Sequence, residues 1–266
     1  MISWSPSKQF RRHCAFALVA LSLLAVQLPA QERNFRSTTF YKINPGRVGD
    51  FQAAVKEYNA VLAKASYDKP YSMWLSQSGD HEYLLVTYHA KLAELDTTRT
   101  DDPKLKDQKT DLTRIAARIL QCAQEYRRYI GELDKDLSLP FTKAVPKMVS
   151  VLRVHLHPAK VDEYLALAKS ELLAAVKKSG VKTYSVARAR YGASRAEITS
   201  VLGIDSWADL DETSPVAKAM GADAYQKYLN KVRPLMQDVD YNVYRFQPDL
   251  SFLPDGAGSG STTGTR

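Results

Sequence analysis

Arg153, His155 and His157 alternate along one stretch with Leu152, Val154 and Leu156 between them. Alternate side chains of a strand leave from opposite faces. The spacing therefore predicts the three polar residues together on one face and the three aliphatics packed under helices. A guanidinium beside two imidazoles suits the holding of an anion and the movement of a proton near neutral pH. Two histidines two positions apart on a strand can also share a metal, provided a third ligand joins them. His89, late in another strand, is the only other histidine nominated for that role. The reading commits to no cofactor. Haem or a metal on His155, His157 and His89 is one alternative, and three polar residues at a solvated strand end is another.

Arg188 and Arg190 share a strand face with Tyr184 and Val186. Placed beside Arg153, they would make a basic interior suited to a carboxylate or phenolate; charge guarding an edge strand is the plainer alternative. The chain holds 15 tyrosines and 3 tryptophans, many on or beside expected strands. Tyr71, Trp74, Tyr184 and Tyr244, with the two arginines, are the candidate lining of a pocket for a flat aromatic ligand, as against ordinary core packing. Cys122 continues the helical spacing of Leu112, Ile115 and Ile119 and reads as a small buried hydrophobe. Glycine-rich nucleotide loops, zinc-protease, serine-elbow and paired-cysteine motifs are absent from the sequence.

Charged residues make up 25% of the 266 and hydrophobic residues 45%, the composition of a globular chain. Residues 1–30 carry Lys8, Arg11 and Arg12, then an apolar run from Cys14 to Val26, then Leu28-Pro29-Ala30. This is the layout of an export signal, and it predicts a periplasmic or extracellular mature protein, free of the membrane after cleavage. Cleavage would take the net charge from +8 to +5. The remaining charges are mixed, which argues against a nucleic-acid partner. A small-molecule ligand and self-association stay open.

The elements that must position these residues come from an internal repeat. Tyr41 to Phe51 aligns with Val154 to Tyr164, 113 positions later, with Pro45 on Pro158 and Val48 on Val161. Tyr71-Ser72 falls on Tyr184-Ser185 at the same offset, and Tyr126 and Tyr129 fall on Tyr241 and Tyr244 at 115. Each copy reads strand, helix, strand, strand, helical region, strand. The strands are expected at 37–43, 71–76, 82–88 and 126–133, then at 148–156, 183–190, 197–202 and 242–246. The expected organisation is a signal at 1–30, repeats at 31–140 and 148–254, a linker at 141–147 and a flexible tail at 255–266. The polar segment 96–107 is expected to be a mobile loop.

Two tandem β-α-β-β-α-β units make an α+β chain of ferredoxin-like repeats. Each antiparallel sheet has helices on one face and needs cover on the other. A second copy can supply it, with the sheets packed as an intramolecular pseudo-dimer. On these residues, over about 35–254, the chain resembles the dimeric α/β-barrel superfamily, which includes antibiotic-biosynthesis-monooxygenase-like, NIPSNAP-like, muconolactone-isomerase-like and chlorite-dismutase-like proteins. The strand–Pro–helix starts at Ile43 to Arg47 and Leu156 to Lys160 carry that resemblance. It implies the fold and leaves the chemistry open. Three functions follow as expectations: an exported binder of a small, aromatic ligand; a cofactor-independent monooxygenase-like enzyme on a small aromatic or quinone-like substrate; and a haem or metal protein using His155 and His157.

Overall fold

A computed structural model describes residues 33–142, 144–211 and 213–254. The export-signal reading at 1–30 and the tail at 255–266 lie outside the described residues. The first half runs β1 (Phe35–Ile43), α1 (Val48–Lys64), β2 (Ser72–Ser76), β3 (Glu82–His89), α2 (Lys109–Cys122) and β4 (Ala123–Asp134). The second runs β5 (Met148–Leu156), α3 (Val161–Leu167), α4 (Leu173–Lys178), β6 (Tyr184–Tyr191), β7 (Ala196–Ile204), α5 (Pro215–Met220), α6 (Ala222–Val232) and β8 (Met236–Phe246). A π turn at Ala168–Leu172 joins α3 to α4, where α1 is continuous.

The helices start and stop for local reasons. Pro45 and Pro158 open short 3-10 turns ahead of α1 and α3, where a missing N–H costs nothing. Helix α1 buries Phe51, Ala54, Val55 and Leu62 against the sheet. The Ser214 side chain accepts from the Ala217 N–H to cap α5, and Gly221, at φ 89°, ends it. Helix α6 starts at Ala222, straight after Gly221, and ends at Val232, because Pro234 turns the chain through a 3-10 step into β8. Strand β4 likewise starts as soon as α2 ends, at Ala123, and not at the expected Tyr126.

The eight strands close a single barrel in the order β1-β3-β2-β8-β5-β7-β6-β4. Each half contributes four neighbouring strands, and the halves are joined by β2 with β8 and by β4 with β6. Every pairing is antiparallel, so β1, β2, β5 and β6 run one way and β3, β4, β7 and β8 the other. One mouth of the barrel therefore collects the ends of β1 and β5 with the starts of β3 and β7. The outer faces pack under helices in two separate cores, one around Phe51, Leu62, Met73 and Leu112, the other around Val154, Leu156, Ile198 and Val232. A third core fills the barrel: Phe40, Trp74, Leu84 and Tyr129 from the first half meet Val149, Val151 and Tyr244 from the second.

The segment 96–107 is structured by short 3-10 turns, contrary to the sequence expectation. Leu105 is fully buried, and Asp102 caps the turn and pairs with Lys69 at 2.7 Å. No helix among the described residues is long and apolar enough to cross a membrane.

Candidate functional site

Strand alternation settles where each nominated residue goes. On β5, Val154 and Leu156 enter the helix-side core, while Val149 and Val151 enter the barrel. Arg153 and His155 follow the latter pair and line the mouth described above. The Arg153 guanidinium lies 5.6 Å from the centroid of the Phe40 ring, inside the barrel. His157 does not join them. Strand β5 stops at Leu156, and His157 is the exposed residue ahead of the Pro158 turn, its Nδ1 3.3 Å from Gln237 Nε2.

His155 sits between two carboxylates. Its Nε2 is 3.2 Å from Asp240 Oδ2, and its Nδ1 is 3.7 Å from Glu197 Oε2. The Nδ1 atom is buried and has no hydrogen-bond partner. Glu197 is buried on β7 as the cross-strand partner of His155, and Asp240 is the cross-strand partner of Arg153 on β8. Arg153 Nε approaches the same Asp240 oxygen at 3.8 Å. Thr199 donates to Glu197 Oε1 at 3.0 Å and lies 3.2 Å from the Tyr129 hydroxyl. Burial, then the Glu197 charge, pushes the Tyr129 phenol up to about 12, so it stays a proton donor.

The repeat supplies a related arrangement on the other side of the same mouth. The Tyr244 hydroxyl donates to buried Glu82 at 3.0 Å, and Arg127 donates to the other Glu82 oxygen at 3.3 Å. Burial and then Glu82 push the Tyr244 phenol upward. Each tyrosine comes from the closing strand of one half and reaches toward a glutamate on the third strand of the other. The two sides differ at aligned positions: Phe40 stands where the second half has Arg153, and Lys42 where it has His155, Lys42 pairing with Asp80 at 3.3 Å. A shallow, solvent-open indentation lies on this side, lined by Phe40, Lys42, Asp80, Glu82, Glu125 and Arg127.

The remaining nominations do not converge. Arg188 and Arg190 alternate with the barrel-facing Ala187 and Ala189, so they point outward; Arg188 pairs with Asp162 and Arg190 with Glu132, each at 3.3 Å. The basic interior does not form. Tyr184 is in the helix-side core of the second half and Tyr71 in that of the first, where its hydroxyl bonds Asn59. Only Trp74 and Tyr244 of the proposed aromatic lining face the barrel. Cys122 is buried, as its spacing predicts.

His89 ends β3, which runs opposite to β5, so it lies toward the other mouth. It also faces outward, with Nε2 2.9 Å from Thr87 Oγ1 and Nδ1 3.5 Å from Glu94. His155, His157 and His89 therefore cannot share an ion, and no group of three metal-ligating side chains occurs among the described residues. Both ring nitrogens of His155 face carboxylates, and His157 and His89 occupy separate places, so the three histidines do not come together around one haem. Sequence reasoning missed Glu197, Asp240, Glu82 and Tyr129. Period-two alternation of Glu197 and Thr199 against Ile198 marks an inward polar face on β7, but only the strand register sets it against His155.

No protein-family model and no curated protein matches the sequence. Solved structures do match. A provisionally assigned monooxygenase from Lactobacillus acidophilus superposes with a TM-score of 0.56 at 9% identity, over 83% of this chain and 96% of that one. An anthrone oxidase-like protein gives 0.54 at 14%, over 82% and 93%. A provisionally assigned monooxygenase from Fusobacterium nucleatum gives 0.53 at 10%, over 81% and 93%. The chain has the dimeric α/β-barrel fold. In this dimeric α/β barrel both halves belong to one polypeptide, so the two sides of the mouth can diverge, as Lys42 and His155 have done.

Proposed function

We propose that this dimeric α/β barrel binds a small, weakly acidic organic molecule at the His155 mouth and moves a proton there. The observation that carries the reading is a half-buried histidine held between Asp240 and the buried Glu197, beside an arginine. Glu197 faces Nδ1 and favours the tautomer with its proton on that atom. Nε2 is then the basic nitrogen, and the more exposed Asp240 can swing away to admit a substrate. A proton taken by Nε2 leaves an anion that Arg153 stabilises, and Glu197 stabilises the imidazolium.

The finer reading is oxygenation without a bound cofactor, which the similarity to a protein described as anthrone oxidase-like supports at the level of fold. A methylene between two aryl groups that are also bridged by a carbonyl, as in an anthrone, would lose its proton to His155, leaving the charge on the former carbonyl oxygen, and the resulting anion would reduce dioxygen. One oxygen atom ends in the new carbonyl and the other in water. The proposal also places the mature protein outside the cytoplasm, on the strength of residues 8–30; N-terminal sequencing of the exported form tests it.

Oxygen uptake with a panel of anthrones and hydroquinones tests the reaction. His155→Ala is expected to lower turnover by about 10²-fold or more with little loss of thermal stability, and Glu197→Gln to lower it less. Equal loss of stability and turnover in His155→Ala would defeat the catalytic reading. Binding of the same molecules without oxygen uptake would remove the oxygenase and leave the binding site.

A further inference from the structure

The other mouth of the barrel holds a buried cation with no carboxylate partner among the described residues. Arg36, near the start of β1, alternates with Phe40 on the inner face and is only 4% exposed. Its Nε is buried without a hydrogen-bond partner. Its Nη1 reaches Ser185 Oγ at a long 3.5 Å, and no carboxylate pairs with it among the described residues. A guanidinium cannot shed its charge in a protein. Burying it unpaired is among the costliest arrangements a core can hold, and such groups are normally paired. The flanking strands do not help, since its cross-strand partner on β4 is Gly131, and Ala187 and Ala189 follow on β6. Beside it, Tyr88 is the cross-strand partner on β3, and Arg33 stacks over Tyr88 and Phe141 at 4.9 and 4.6 Å from their centroids. Arg33 also has no carboxylate partner among the described residues, so this end of the barrel presents two cations. The His155 mouth, by contrast, sets its cations against Asp80, Glu82, Glu197 and Asp240.

We propose that Arg36 is the receiving group of an anion site inside this end of the barrel, selective for a small planar oxyanion such as a one- or two-carbon carboxylate. The fork of a guanidinium matches the two oxygens of a carboxylate, and the Ser185 hydroxyl is placed to donate to one of them. Size is limited because the barrel beyond is filled by Val149, Val151 and Trp74. Positive potential from Arg33 at the rim draws the anion in. This inference does not rest on the His155 reading.

The test is thermal unfolding of the full chain in sodium acetate against sodium gluconate at equal ionic strength, with formate and nitrate as further planar anions. Acetate is expected to raise the melting temperature saturably, and gluconate, too large to enter, is not. Arg36→Met should abolish the acetate response, and Arg36→Lys, which loses the fork, should move its midpoint at least tenfold higher in concentration. If Arg36→Met does not fold, Ser185→Ala supplies the second variant, with a weakened response on an intact barrel. Coincident acetate and gluconate curves, or an unchanged acetate midpoint in both Arg36→Lys and Ser185→Ala, would overturn the site. Nitrate acting like acetate would support recognition of shape and charge over carbon chemistry.

Discussion

Burial of the His89 ring disfavours its charged form, and this outweighs the opposing pull of Glu94. Its pKa in the fold therefore lies below the ordinary value of about 6.5. The sign of the consequence is fixed: below about pH 6.5 the unfolded chain takes up a proton that the folded chain resists. The stabilisation from neutral His89 is complete above that pH and is lost as pH falls through the folded value. Denaturant unfolding at pH 7.5 and pH 5.5 should show a smaller drop in stability for His89→Gln than for the parent. Identical drops would mean that another group carries the acid sensitivity.

Turns and strand edges decide how the mouth is assembled. Gly192, in the β6–β7 hairpin, has φ 85°, and a Cβ there would lie 2.2 Å from the Arg128 carbonyl oxygen on β4. The hairpin that carries Glu197 toward His155 thus depends on close backbone approach at this glycine. Gly180 has a similar φ of 74° with nothing within 4 Å. Gly180→Ala is expected to cost about 1 kcal/mol, the left-handed strain alone. Gly192→Ala should cost roughly 2–4 kcal/mol, because backbone must also shift. Chemical denaturation of the pair measures the difference, and equal costs would show that the close approach relaxes freely.

Barrel closure ties the halves into one folding unit. The inner core takes Phe40, Trp74 and Tyr129 from one half and Val149, Val151 and Tyr244 from the other, and both seams are hydrogen-bonded strands. Neither half keeps this core without its partner. Leu112→Ala in the first half and Leu156→Ala in the second, both fully buried, should each lower stability by roughly 2–5 kcal/mol within a single unfolding transition. Calorimetry and circular dichroism that resolve two transitions, one moved by each substitution, would show independent halves.

The sequence by itself determined the repeat, the order of elements and the faces of β5. Periodicity and proline punctuation are local, and they act before any tertiary contact. It also placed Arg153 and His155 together, since alternation follows from strand geometry alone. It misplaced His157, because the position at which β5 ends depends on where Pro158 turns the chain. It misjudged Arg188 and Arg190, because a face shared with Tyr184 proved to be the outer one. Loop 96–107 is polar in composition, yet Leu105 and Asp102 anchor it to partners distant in sequence. Glu197 opposite His155, Asp240 beside Arg153 and the unpaired Arg36 were decided only by the register of strand positions from 42 to 95 residues apart. Register is a property of the closed barrel, and no local pattern in the chain encodes which charge will face which.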